Sequence, residues 1–277
     1  MKHSVVYFSP AGSTRLVADA IHSRLTEHGQ EVVLVDLRTS RRAATEQSAF
    51  LRHPCCLWIG SPVYCDHAVP LVADFIEGLP PALPRSYAVP FVTWGGVTSG
   101  VSLAETAEQL RKKNFMPLAA AKVLAVHSSM WRASQPLAAG HPDQEDLAQI
   151  ALMVDNVIGN LQRAEIAPLD IKVLDYLSPA LRADAANKSL AAAKAAMPPL
   201  TVDEQRCLQC GDCAERCPVA AISLAPFPTI ADDCVLCLQC VRACPQEAFI
   251  FDNDAVAARI AAMAGRSDEN KATQIFL

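Results

Sequence analysis

Between Cys207 and Cys244 the chain carries eight of its eleven cysteines, arranged as two copies of one run. Cys207, Cys210, Cys213 and Cys217 lead into Pro218; Cys234, Cys237, Cys240 and Cys244 lead into Pro245. The doubled spacing Cys-x2-Cys-x2-Cys-x3-Cys-Pro suits a pair of 4Fe–4S clusters, the fourth cysteine of each run turning to the other cluster. On that rule Cys207, Cys210, Cys213 and Cys244 hold one cluster, and Cys234, Cys237, Cys240 and Cys217 hold the second. Structural zinc also uses paired Cys-x2-Cys elements, but it does not need two copies of a four-cysteine run ending in Cys-Pro. A disulfide framework and chance spacing are the remaining alternatives.

Thiolates reserved for metal imply a reducing compartment. The N-terminus has no signal-peptide pattern, and no window is long and apolar enough to span a membrane. The expectation is a soluble, cytoplasmic protein. At 277 residues the chain has length for two domains. Its net charge of −5 is unevenly spread: residues 200–253 carry 3 basic against 8 acidic side chains, whereas 1–165 carry 14 against 15. An acidic electron carrier is steered to basic docking faces and away from nucleic acid. The expected partner is a redox protein with a basic docking face.

The first 165 residues alternate strand-like apolar runs with amphipathic helical stretches, the signature of a parallel α/β sheet. Strands are expected at 4–8, 32–37, 56–59, 89–93 and 122–126. Helices are expected at 14–28, 71–76, about 101–113 and 143–165, with Gly29 stopping the first. Five such strands suit a doubly wound sheet of order 2-1-3-4-5. Residues 166–199 are Ala-rich and read as a helical connector stopped by Pro198-Pro199. Residues 200–255 form the cysteine module, small and α+β. A helix and a polar tail, expected to fray, complete 256–277.

Doubly wound sheets bind ligands at the carboxyl ends of their strands, where strand order reverses. Three loops at that edge stand out. Ser9-Pro10-Ala11-Gly12-Ser13-Thr14 opens a helix, so its N–H and O–H groups can surround a phosphate at the positive helix end; a plain N-cap by Ser13 or Thr14 is the alternative. Ser61-Pro62-Val63-Tyr64-Cys65 sets an aromatic at the switch point. Thr93-Trp94-Gly95-Gly96 adds a second aromatic beside two glycines that permit close backbone approach. A planar ring held between Tyr64 and Trp94, with its phosphate on the helix N-terminus, describes a flavin mononucleotide (FMN) site.

These motifs together resemble the flavodoxin–ferredoxin fusion family, in which a flavodoxin-like module precedes a two-cluster ferredoxin module. The resemblance spans roughly residues 3–253. It implies FMN held at its phosphate by Ser9, Gly12, Ser13 and Thr14, with 61–65 and 93–96 against the ring. Ala11 departs from the family, where Thr is usual, and removes one phosphate hydroxyl. The stretch Cys65-Asp66-His67 also lacks the Gly beside the flavin whose peptide reorients to favour the semiquinone. Because non-Gly residues resist positive φ, this departure implies more two-electron behaviour.

Cys65 reads as a partly buried spectator, and Cys55 and Cys56 as core. The seven histidines lie in 1–141 and show no metal-ligand spacing. No Gly-x-Gly-x-x-Gly follows a strand, which argues against a dedicated nicotinamide-nucleotide domain. The leading function is electron transfer between FMN, two 4Fe–4S clusters and an external partner. A flavin-dependent reductase of a small substrate is the alternative, with Asp66, His67 and His127 as the candidate proton donors. A redox sensor or assembly partner with a lost flavin site is the third class. A homodimer would shorten the flavin-to-cluster path.

Overall fold

The structure, a computed structural model, describes residues 1–38, 53–197 and 200–277. Pro198-Pro199, the expected connector stop, lies outside the described residues. In the first half, β1 (Lys2–Tyr7), β2 (Glu31–Asp36), β3 (Cys55–Tyr64), β5 (Tyr87–Trp94) and β7 (Ala120–Leu124) are all parallel, in the order β2-β1-β3-β5-β7. This is the doubly wound order expected from the sequence. The reversal lies between β1 and β3, so the carboxyl ends of these two strands open a crevice between them. Short strands β4 (His67–Ala68) and β6 (Met116–Pro117) pair with β3 and β5.

Helices cover both faces because both faces of the sheet are apolar. α1 (Ser13–Glu27) turns Val17, Ala18, Ile21 and Leu25 inward. It shares a core with α4 (Gln144–Leu161), which contributes Ile150, Met153, Val154 and Val157. Gly29, at φ +68°, turns the chain out of α1. Asp143 and Asp146 form a reciprocal capping box at the start of α4. On the other face, α2 (Pro70–Glu77) and α3 (Ser102–Lys112) pack Leu71, Val72, Ile76 and Leu110 on Val6, Leu57 and Ile59. That second core continues into Val235 and Cys237, so the cysteine module is joined to the sheet through buried apolar contact.

The connector is helical in pieces: a 3-10 turn at Ile171–Leu174, then α5 (Pro179–Ala186) and α6 (Leu190–Ala196). Ser178 and Ser189 cap the two helices. The cysteine module is a twofold repeat. β8 (Thr201–Val202), α7 (Asp212–Glu215) and β9 (Ile222–Leu224) are followed by β10 (Pro228–Ile230), α8 (Gln239–Ala243) and β11 (Phe249–Ile250). The repeats interlock, β8 pairing with β11 and β9 with β10. α9 (Asn253–Ala264) then leads to the tail.

The tail corrects the expectation that it frays. Gln274–Phe276 forms β12, antiparallel to β7, and extends the first sheet by one strand. The reason lies in long-range polar contacts. Glu269 meets the buried Lys122 ammonium at 2.6 Å and accepts from Ser99 N–H at 2.7 Å. Thr273 accepts from Leu124 N–H at 2.9 Å. Tyr176 stacks on Phe276 at 5.3 Å, and Lys122 lies 4.4 Å from the Tyr176 ring centroid.

Candidate functional site

The two cysteine runs repeat in backbone as well as in sequence. Gln209, Gly211 and Ala220 take positive φ (55°, 84° and 53°), and so do Leu236, Leu238 and Glu247 at the matching positions (55°, 56° and 49°). A left-handed non-Gly residue costs about 1–2 kcal/mol and persists where surrounding structure over-determines it. Here the turns curl N–H groups onto sulfur. Ala221 N–H donates to Cys217 Sγ at 3.2 Å and Ala248 N–H to Cys244 Sγ at 3.3 Å, again matching positions. Leu236 N–H donates to Cys234 Sγ at 3.4 Å.

Two sulfur groups result. Cys217 lines one cavity together with Cys234, Cys237 and Cys240. Cys244 lines another pocket with Cys207, Cys210 and Cys213. Each fourth cysteine therefore stands with the other run's three. Burial pushes the Cys237 thiol up to about 11 and the Cys240 thiol up to about 12. Such thiols become thiolates only with a bound cation to compensate them, which fits this donor set to a thiolate-ligated cluster. The outer group is more open: Cys210 is exposed, and the neighbouring Leu208 is 67% exposed.

The cavity holding the inner sulfur group has a volume of about 1190 Å³ and is also lined by the loops at the strands' carboxyl ends. From the first loop come Ser9, Pro10, Ala11, Ser13 and Thr14. Gly12, at φ +101°, sits at the N-cap of α1, which has no side-chain cap and no acidic residue in its first turn. The first N–H groups of a helix lack intrahelical partners. Arg15 N–H is taken by Ser9 Oγ at 3.0 Å, which leaves the Ser9 O–H free to donate. An acid-free helix start whose N-cap residue has no side chain, beside hydroxyls, fits a phosphate group. The Thr14 and Thr93 hydroxyls meet at 2.7 Å, joining the first loop to the end of β5.

Pro62, Val63, Tyr64 and Cys65 line the same cavity, as do Thr93, Trp94 and Gly95. Gly12, Ser61 and Gly96 do not, although the sequence reading counted them in the site. Ser61 is instead a brace: its hydroxyl donates to Pro62 O at 2.8 Å and accepts from Val69 N–H at 3.0 Å. Gly95 is small because the His127 ring lies against it; a Cβ there would stand 2.5 Å from His127 Cδ2. Trp94 is 1% exposed and packs beside Lys122, 5.2 Å from the ammonium. Both aromatics line the cavity, Tyr64 half-buried and Trp94 almost wholly buried.

Cys65 and Asp66 do adopt positive φ (51° and 69°), contrary to the sequence argument. The glycine that makes room is Gly100, across the loop, where a Cβ would meet Asp66 O at 2.0 Å. Val101 N–H holds the Asp66 carbonyl at 2.8 Å.

The three candidate proton donors are differently disposed. Asp66 lines the cavity; burial raises its pKa, and Lys188 Nζ binds it at 2.8 Å. His127 lines the cavity too; burial lowers its pKa to about 4, and Nδ1 accepts from Ser129 N–H at 3.3 Å. His67 does not line it. Its Nδ1 faces Glu105 Oε2 at 2.9 Å, and its Nε2 faces the carbonyls of Ala185 and Lys188 at 3.1 Å. Burial disfavours the charged ring, but these acceptors outweigh it and raise the pKa. With Asp66 and Lys188 it clips the connector to the β3–β4 turn. His141 stands with Asp143 and Asp146 in a group of metal-ligand geometry, but these side chains satisfy one another at the α4 cap.

Sequence reasoning missed the far wall of the cavity, built by α6 and α9 with Ala192, Met197, Arg259, Ile260 and Met263. No local motif marks these residues, because their role comes from how the connector and the last helix cross the loops.

Residues 200–223 and 227–250 match the family described as 4Fe-4S binding domain. The match covers this segment alone, which is joined to a parallel sheet of flavodoxin-like strand order. No curated protein matches the chain. Among solved structures, the rubredoxin oxygen:oxidoreductase of Desulfovibrio gigas is 20% identical at a TM-score of 0.47, over 63% of this chain and 37% of its own. This chain therefore spans little more than a third of that protein. A flavodoxin from the domain Archaea is 16% identical at 0.45, over 59% of this chain and 100% of its own. A Streptococcus pneumonia flavodoxin is 15% identical at 0.43, over 57% and 99%. The strand order, rather than these likenesses, carries the fold assignment. Among the described residues no helix is long and apolar enough to cross a membrane.

Proposed function

We propose that the protein is an electron-transfer iron–sulfur flavoprotein relaying electrons between an external carrier, two 4Fe–4S clusters and FMN. Cys207, Cys210, Cys213 and Cys244 would hold the outer cluster; Cys217, Cys234, Cys237 and Cys240 would hold the inner one. Ser9, Ser13 and Thr14, with the backbone of 11–14, would hold the FMN phosphate. Bound flavin would supply the step between two-electron and one-electron chemistry. The chain's own residues set distance, exposure and water access.

The observation that carries this reading is the single cavity lined both by the carboxyl-end loops and by the inner sulfur group. Tyr64 lines that cavity at the end of β3 and packs beside Val235 and Cys237 of the cysteine module. The outer sulfur group suits a docking site: exposed Cys210 and Leu208 lie in the module that carries 8 acidic against 3 basic residues. A partner with a basic face would dock there, with salt-sensitive association. The pinned Asp66 carbonyl supports two-electron behaviour, since that peptide is not free to reorient.

A small-substrate reductase is the second reading. The cavity exceeds the roughly 300–1,000 Å³ of a one-ligand pocket, and its far wall is mostly apolar with Arg259 at the rim.

Anaerobic purification with iron, acid-labile sulfide and flavin analysis tests the proposal. The expected content is about eight irons, two clusters' worth, and one FMN per chain. Clusters without flavin in protein reconstituted with FMN would refute it.

A further inference from the structure

Two buried hydrogen-bond donors beside the inner sulfur group have no partner in the protein. The Tyr64 hydroxyl and Arg242 Nε are both buried and unbonded. Tyr64 ends β3, in the flavodoxin-like half, yet packs in one apolar cluster with Val235 and Cys237. Its hydroxyl has Cys237, Arg242 and Cys234 as electrostatic neighbours; Ser128 is near enough only to donate to the phenol oxygen, which leaves the phenol proton itself free to donate. Arg242 sits between Cys240 and Cys244 on α8, and its Nη2 donates to Cys237 O at 2.9 Å. A buried donor left unpaired costs about 1–3 kcal/mol. Native structures keep such groups where a partner is to arrive.

The acceptors at hand are sulfurs. Four thiolates and the sulfides of a cluster would place lone pairs against this wall. Among the described residues, the outer sulfur group has no comparable orphaned side-chain donor. We propose that Tyr64, reaching over from the flavodoxin-like sheet, donates a hydrogen bond to a sulfur of the inner cluster and raises that cluster's reduction potential above the outer one's. Hydrogen bonds to sulfur favour the more negative, reduced cluster. Tyr64 is thereby a positioning and tuning residue, which makes the inner cluster the resting place for an electron next to the flavin. This inference rests on the proposed assignment of Cys217, Cys234, Cys237 and Cys240 to one cluster.

The test is a redox titration of both clusters by electron paramagnetic resonance, in the full chain and in Tyr64→Phe. Iron content is measured first: about eight irons in the wild type supports the ligand assignment independently, and a lower count refutes that assignment rather than the role of Tyr64. With iron equal, Tyr64→Phe is expected to lower one midpoint by a three- to tenfold change in the reduction equilibrium, up to about 59 mV for one electron. The other midpoint stays in place. No movement, or equal movement of both midpoints, overturns the proposal. Should Tyr64→Phe lose iron, fluorotyrosine at position 64 keeps the ring and makes a stronger donor. It must then raise the same midpoint, and an unmoved midpoint overturns the proposal.

Discussion

The hydroxyls of Thr14 and Thr93 meet at 2.7 Å, one from the first turn of α1 and one from the end of β5. Two of the three carboxyl-end loops are thus fixed to each other before any ligand enters. Thr93→Val leaves the Thr14 hydroxyl without its partner and loosens the phosphate loop. Titration of flavin-free protein with FMN is expected to show binding weakened about 3–10-fold, one neutral hydrogen bond's worth, with cluster content unchanged.

Cys217 precedes its own run's proline but stands with the second run's three sulfurs. Cys217→Ala is therefore expected to damage the inner cluster and leave the outer one intact. Iron content falls towards half, and the remaining spectrum matches that of Cys234→Ala. A spectrum matching Cys207→Ala instead would reverse the assignment.

The clip formed by His67 with Glu105 and the carbonyls of Ala185 and Lys188 needs a charged imidazole. Its pKa is raised in the fold, so the clip's stability is complete below the unfolded value near 6.5 and is lost as pH rises through the folded value. Hydrogen exchange of 179–196 should accelerate as pH rises through that range, beyond the intrinsic rate increase. In His67→Gln the extra acceleration should vanish.

His3 behaves oppositely. It is buried, accepts from Trp58 Nε1 at 3.1 Å, and burial lowers its pKa to about 4. A depressed histidine stabilises the fold above its unfolded pKa, and that contribution is lost as pH falls towards the folded value. At about 1.4 kcal/mol per pKa unit, the loss between pH 6.5 and 4 is about 3 kcal/mol. Thermal melts across this interval should flatten in His3→Gln relative to the wild type.

Much of this was legible in the sequence, for identifiable reasons. The cysteine spacing is a local signal, since ligands three residues apart must share a turn. The parallel sheet was readable because both its faces are buried, leaving continuous apolar runs such as Cys55–Gly60. What stayed hidden depends on contacts distant in sequence. β12 contains one buried residue, Phe276, and is held by Glu269 and Thr273 reaching Lys122 and Leu124. Gly95 answers to His127 and Gly100 to Asp66, partners that no neighbouring residue announces. Ser61 and Trp94 are apt types for a flavin loop, but the fold spends one on Val69 and buries the other.

The Lys122–Glu269 pair also sets a stability prediction. Both side chains are 3% exposed, so Glu269→Gln strands a buried ammonium. Breaking one partner of such a pair costs about 3–5 kcal/mol. The melting temperature should drop accordingly, with β12 exchanging first.

The carboxyl-end loops and the inner sulfur group line one cavity, so on the proposed function FMN and the inner cluster would exchange electrons within a single chain. Rapid mixing of the oxidised holoprotein with a one-electron reductant that enters through the clusters tests it most directly, following flavin bleaching at several protein concentrations. The expected result is a first-order rate independent of protein concentration and abolished in Cys234→Ala. A rate that scales with protein concentration, or that persists without the inner cluster, would contradict it.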